Sequence, residues 1–353
     1  MSPIFYTELA CQSLDSQVLD DAMCQRLLSD PSLEILALLE AAFKVRQTYF
    51  GRVVNIHILN NAQNGHCQED CQYCAQAKSS KADIEEYGIK PDEEILREAR
   101  RAYSKGASCY CMVYAGRKAS SARIERLKRI LVQIKSEFPD KEICVSTGFV
   151  SVEGAQELKK AGLSRLNHNL NTSEAYYPRI CTTHTFQDRL DTLLAAKKAG
   201  LQVCSGVIIG MGEDITDIID VAKRLRFLEV ESIPVNFFLP IAGQLRPEQK
   251  APLTPDFVLR VLCLFRFLNP RADIRIAAGR ELYLRAMEVM ALYPANSLFL
   301  QGYLNAKGAS DENTLRMIKD AGFTIKSEQK GTVPFLGTGS MDLKTLSELR
   351  PTQ

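Results

Sequence analysis

The sequence predicts an α/β protein, a (β/α)8 barrel of TIM type with an N-terminal helical extension, and three observations predict it. Eight short apolar runs alternate with helix-period segments between about residues 53 and 325. Glycine closes many of those segments just before the next run, as in Lys105-Gly106, Ala161-Gly162 and Ala199-Gly200, where a left-handed C-cap is needed. A polar, cysteine-rich loop follows the first run, at the strand end where barrels carry their chemistry. An open doubly wound sheet uses the same alternation and is the competing topology.

Residues 1–50 read as the helical extension, with Leu33, Ile35, Leu36, Leu38, Leu39, Ala42, Phe43 and Val45 at three- and four-residue spacing. The barrel is assigned to 51–325. Its strands are expected at Val53–Leu59, Ser108–Tyr114, Glu142–Thr147, Arg165–Leu170, Gln202–Gly210, Ser232–Leu239, Asp273–Ala278 and Ser297–Gly302. Between them, Ile124, Leu127, Leu131, Ile134 and Phe138 share one helix face, as do Phe186, Leu190, Leu193 and Ala196. Residues 326–353 are read as a tail, rich in Gly, Ser, Thr and Lys, lying along the surface or poorly ordered.

Composition narrows the function. Lys plus Arg number 44 against 42 Asp plus Glu, so no charge excess points to nucleic acid or to an anionic membrane. No apolar run approaches the ~18 residues of a membrane span. The segment Met1 to Gln17 has Glu8 and Asp15 but no basic residue, unlike a secretory or transit signal. A cytoplasmic location is expected. Eleven cysteines, an odd number without an export signal, argue against a disulfide framework.

Three of those cysteines are close together in Gly65-His66-Cys67-Gln68-Glu69-Asp70-Cys71-Gln72-Tyr73-Cys74. Soft thiolates at C-x3-C-x2-C spacing select zinc or an iron–sulfur cluster. Structural zinc needs a fourth ligand, and His66 is badly placed to close a tetrahedron beside Cys67. Three ligands on a cubane leave one iron open to a substrate. Deeper in the expected strands lie Cys111, Cys144 and Cys204, with Arg275 between Ile274 and Ile276. A guanidinium facing a barrel interior is costly unless paired or ligating.

The cysteine loop resembles the signature of the radical S-adenosylmethionine superfamily. From about residue 35 to 325 the chain further resembles the biotin synthase family. The carriers include Tyr110-Cys111-Met112, Asn167-His168-Asn169-Leu170-Asn171-Thr172, Cys181-Thr-Thr-His-Thr185, Asp188-Arg189-Leu190-Asp191-Thr192, Val203-Cys204-Ser205-Gly206, Pro234-Val235-Asn236, Arg275-Ile-Ala-Ala-Gly-Arg280-Glu281 and Ala295-Asn296-Ser297.

That resemblance implies a [4Fe–4S] cluster on Cys67, Cys71 and Cys74, binding S-adenosylmethionine, and a sulfur-donating [2Fe–2S] cluster on Cys111, Cys144, Cys204 and Arg275. It implies that a deoxyadenosyl radical activates dethiobiotin for sulfur insertion. Tyr73, Asn167, Asn169, Asn171, Arg189, Gly206 and Ile208 match positions on the cosubstrate side. Asn167 and Asn169 also match substrate contacts, and Asn236 matches one facing the ureido ring, where an amide suits a neutral urea. The implied partners are a reducing protein such as flavodoxin or ferredoxin and a second copy in a homodimer, with no nucleic acid or membrane.

The chain departs from the family pattern at Asn171, where Asp is usual, and at Cys109, where Arg is common. Cys109 shares a strand face with Cys111, so it is either core filler or a further inward thiolate, which would suit a four-iron auxiliary cluster. Val113-Tyr114-Ala115-Gly116, Gly243-Gln244-Leu245 and Asn305-Ala306 also depart. They open an alternative, a related insertase acting on another aliphatic chain such as an octanoyl group. Cys11, Cys24, Cys181, Cys263, His57 and His184 read as structural. His168 reads equally well as structural or as a contact.

Overall fold

The computed structural model describes residues 3–245, 252–306 and 308–328. Ten strands run in chain order: β1 (Val53–Gln63), β2 (Cys109–Tyr114), β3 (Glu142–Ser146), β4 (Arg165–Asn167), β5 (Gln202–Cys204), β6 (Val207–Ile209), β7 (Ser232–Phe237), β8 (Asp273–Ile276), β9 (Ser297–Leu300) and β10 (Thr324–Ile325). All pairings between these strands are parallel, and β9 returns to β1, so the sheet closes on itself. This is the expected barrel, with β5 and β6 as two pieces of one stave and β10 added outside at the start of β1.

The outer layer follows from the helical periods. Helices α4 (Asp92–Ser104), α5 (Ser121–Glu137), α6 (Val152–Lys160), α7 (Phe186–Lys198), α8 (Ile215–Phe227) and α9 (Pro255–Leu268) alternate with the staves. Ile124, Leu127, Leu131 and Ile134 form the buried face of α5. Gly106, Gly162 and Gly200 all have positive φ at helix ends. Ahead of the barrel the expected helical extension is present as three helices, Pro3–Leu14, Asp21–Ser29 and Ile35–Phe50. Among the described residues, no helix is long and apolar enough to cross a membrane. The tail beyond 328 lies outside the described residues.

The structure differs from expectation in the fifth stave. A continuous strand over Gln202–Gly210 is interrupted at Ser205 and Gly206. A Cβ on Gly206 would sit 1.9 Å from the Pro234 carbonyl oxygen, so only glycine lets the backbones come this close. The broken ladder is repaired by side chains: Asn169 Oδ1 accepts from Gly206 N at 3.0 Å, and Ser205 Oγ accepts from Leu170 N at 3.1 Å. The fourth stave is likewise shorter than expected, ending at Asn167.

Candidate functional site

The C-terminal ends of the staves and the loops that follow them line one cavity of about 270 Å³ at that end of the barrel. Its wall holds Cys67, Cys71, Tyr73, Cys74, Asn167, Asn169, Asn171, Arg189, Ile208 and Asn236, so ten residues singled out from the sequence meet in one place. Gly206 stands behind them in the stave break. The departures from the family pattern reach the same wall, through Val113 to Gly116, Gln244, Asn305 and Ala306. Gln244 is buried there, its Nε2 without a partner among the described residues.

The cysteine loop is fastened before any cofactor is considered. Asp70 accepts hydrogen bonds from the backbone N–H groups of Thr182 and Thr183 at 3.0 and 3.2 Å, and Gln72 N donates to Ile180 O. Burial alone would raise the Asp70 carboxyl, but these bonds, with those from the Thr182 and Thr183 hydroxyls and Cys181, hold it well below the usual carboxylate range. Glu69 reaches across to His184 Nδ1 at 2.5 Å.

Arg189 organises the opposite wall. Thr185 and Asp188 form a reciprocal cap that starts α7 and sets its register. Arg189 then donates to Asn169 O at 2.8 Å, to Tyr73 Oη at 3.0 Å and to Tyr177 Oη. Tyr73 Oη also accepts from Asn171 at 2.7 Å. Asn171 holds φ at 71°, a left-handed backbone that Asn tolerates better than most residues. His168 is buried, with Nε2 unpartnered; burial, followed by the charges of Arg189 and His184, keeps its imidazole neutral. Asn236 spends its amide partly on backbone, donating to Val207 O and accepting from Ala278 N.

Beneath the cavity lies a second layer of sulfur. Cys109, Cys111, Cys144 and Cys204 pack together with Ala277 and Phe299, all buried. The register dictates this. Cys111 pairs across with Cys144, and Asn167 with Cys204, so inward positions of successive staves fall at one height. Cys109 Sγ lies 3.9 Å from Cys111 Sγ, and Arg275 Nη1 lies 3.7 Å from Cys204 Sγ. Hydrogen bonds from Cys109 and Cys144 lower the Cys111 thiol; a bond from Cys144 and the charges of Arg275 and Arg165 lower Cys204. The Cys109 and Cys144 thiols are pushed up by donating and by burial.

His57, read from the sequence as structural, stands in this layer. Its Nε2 accepts from Arg275 at 3.1 Å, and its Nδ1 is 3.9 Å from Cys111 Sγ. It faces Cys109 in register across β1 and β2. Arg275 also donates to Ser232 Oγ at 2.7 Å and pairs with Asp273 at 3.8 Å.

Both donor sets suit iron–sulfur clusters. The sulfurs of Cys67, Cys71 and Cys74 line one cavity but do not gather within 4.8 Å of one another, as ligands of a single ion would. The deeper layer joins four thiols to Arg275 and Arg165, whose Nε atoms are buried without a partner among the described residues, so each guanidinium keeps a donor for an anionic group.

Comparison with known proteins agrees with this geometry. The radical SAM superfamily model matches residues 64–225, and the Biotin and Thiamin Synthesis associated domain matches 234–324. Biotin synthase of Magnetococcus marinus is 55% identical over 319 residues, spanning 90% of this chain and 98% of the relative. The chain belongs to the biotin synthase family. Biotin synthase of Acaryochloris marina is 49% identical, with 94% and 95% of the two chains covered. Among solved structures, methylornithine synthase superposes with a TM-score of 0.75 at 20% identity, over 90% of this chain and 97% of that one. The FeFe-hydrogenase maturase HydG of Carboxydothermus hydrogenoformans gives 0.76 at 16%, over 91% and 79%. Those two speak to the fold alone.

Proposed function

We propose that this chain inserts sulfur into dethiobiotin, with Cys67, Cys71 and Cys74 holding an open [4Fe–4S] cluster and the deeper layer holding the sulfur donor. The observation that carries the reading is vertical: one cavity has three cysteines in its wall and a second cysteine layer directly beneath, joined through Asn167 and Tyr303. When bound, the upper cluster supplies the electron that cleaves S-adenosylmethionine to methionine and a deoxyadenosyl radical, and the lower cluster supplies sulfide.

The protein's part is to bind, orient and exclude water. Arg189 fixes Tyr73 beside Cys74, while Asn167, Asn169 and Asn171 present amides to the cosubstrate and substrate. Asn236 borders the same cavity, and of the two backbone bonds it donates the longer, to Pro234 O at 3.5 Å, is the one it would exchange for a ureido oxygen. The barrel walls, with the bound substrates filling the mouth, would keep other hydrogen donors from a reactive radical. Relatives named biotin synthase favour dethiobiotin over the octanoyl chain. A reduced flavodoxin or ferredoxin as donor, a homodimer and a cytoplasmic location complete the reading.

For the lower cluster, Cys111, Cys144 and Cys204 are the shared ligands, and Arg275 completes a [2Fe–2S] set. A second reading rests on Cys109, whose sulfur is buried beside Cys111: four thiolates suit a four-iron variant. The deciding experiment is anaerobic reconstitution with S-adenosylmethionine, a strong reductant and dethiobiotin. Cys144→Ala is expected to abolish biotin while deoxyadenosine still forms. Normal biotin formation without Cys144 would refute the donor assignment.

A further inference from the structure

Beside the cavity Cys71 meets Cys181, a second cysteine that has no part in the reaction as described. Cys181 Sγ is 3.8 Å from Cys71 Sγ, and these two with His184 bring their ligand atoms within 4.8 Å of one another. Both cysteines are buried, yet Cys71 borders the cavity, so a molecule the size of peroxide can reach the pair.

We infer that Cys71 and Cys181 form an oxidative modification site, closing a disulfide when the cluster is lost and thereby parking Cys71 in a recoverable state. This rests on the reading of Cys71 as a cluster ligand. The loops that carry the two residues are already tied together, through Asp70 to Thr182 and Thr183 and through Gln72 N to Ile180 O. Closing the bond therefore needs a small advance of two sulfurs that already face each other, not a rearrangement of chain. Cys109 and Cys111 are as close, at 3.9 Å. They lie two apart on one strand, which puts their Cα atoms about 6.8 Å apart, at the limit of disulfide reach.

A single metal ion could use the same sulfurs, but His184 is already committed. Its Nδ1 is held by Glu69 at 2.5 Å, and its Nε2 faces Tyr177 Oη at 2.9 Å and Arg189 Nη2 at 3.0 Å. A metal would have to displace one of these, whereas thiol oxidation leaves them in place and gives up only S–H bonds, such as the one from Cys181 to Asp70 at 3.3 Å. The chemistry balances with hydrogen peroxide as oxidant. One thiol becomes a sulfenic acid and one water leaves; the neighbouring thiol attacks that sulfur, a second water leaves, and the S–S bond forms. The two sulfurs together give up two electrons, which reduce the peroxide. Without the partner, the sulfenic acid proceeds to sulfinic and sulfonic acids, which ordinary thiols do not reverse.

The test uses the full-length chain, isolated in air and exposed to limiting hydrogen peroxide, then digested with trypsin without reductant. Peptide 180–189 contains Cys181 as its only cysteine, and peptide 53–78 contains Cys67, Cys71 and Cys74. The expected product is 53–78 joined to 180–189, with fragment ions placing the link at Cys71. The link is expected to vanish in Cys181→Ser and Cys181→Ala, with Cys71 then carrying two or three added oxygens. A wild-type chain whose Cys71 stays a free thiol, or bonds to Cys67 or Cys74, overturns the proposal. A second arm measures iron uptake by the cross-linked chain before and after thiol reduction. Recovery only after reduction supports both statements. Full uptake of the upper cluster with the link intact would refute Cys71 as a ligand while leaving the disulfide established.

Discussion

Asn167 Nδ2 stands 3.2 Å from the sulfur of Cys204, while the same side chain borders the cavity that holds Cys67, Cys71 and Cys74. One amide therefore touches both levels of the site. Asn167→Leu keeps the volume and removes the donor. The expected result is unchanged iron content and a loss of biotin formation of about 10–100-fold, the scale of one hydrogen bond to a charged group. Parallel measurement of iron and of product in a single turnover checks it.

The sulfur of Cys109 belongs to the lower layer, and its substitution should register there. Cys109→Ser is expected to lower iron per chain and to change the auxiliary Mössbauer signal, with the upper cluster untouched. Unchanged iron returns the site to three cysteines and Arg275.

Asp273 anchors the charges below the sulfur layer. It pairs with His57 at 3.5 Å and Arg275 at 3.8 Å, and accepts from Asn296 at 3.2 Å. Burial would raise its carboxyl; the neighbouring His57 and the charges of Arg275 and Arg165 prevail and hold it well below the usual range. Asp273→Asn leaves buried cations uncompensated and is expected to cost about 3–5 kcal/mol in urea unfolding at pH 7. A depressed folded pKa stabilises above the unfolded value and loses that contribution as pH falls toward the folded one. The difference between wild type and variant should therefore be flat from about pH 8 to about pH 5, and shrink below the unfolded pKa of about 3.9.

Two glycines offer a controlled pair. A Cβ at Gly206 meets the Pro234 carbonyl oxygen at 1.9 Å, whereas one at Gly88 meets nothing within 4 Å. Gly206→Ala should lose more than about 3 kcal/mol, beyond ordinary overpacking because the obstacle is backbone, and yield little soluble protein. Gly88→Ala should stay within about 0.5 kcal/mol of wild type. Denaturant midpoints of the two variants decide it.

Much of this was readable in the chain, for reasons that particular residues make plain. Strand period and glycine caps marked the staves, and the dense spacing of Cys67, Cys71 and Cys74 marked the loop, because both are local patterns. His57 was not recognised, since a lone histidine in an apolar strand carries no local signal; its meaning comes from pairing with Cys109 on the neighbouring stave. Cys181 and His184 were passed over for the same reason, being more than a hundred residues from Cys71 and Glu69, which they meet. The break at Gly206 escaped notice because its cause, the Pro234 carbonyl, lies on another strand.

The hydrogen-bonded web of His57, Arg275, Ser232, Asp273 and Asn296 has a consequence for the floor of the barrel. Its bonds run between side chains and to the backbone, and only Arg275 Nε of this group is left without a partner among the described residues. The floor of the barrel is thus braced from within by its own side chains, like a socket whose form does not depend on what is seated in it.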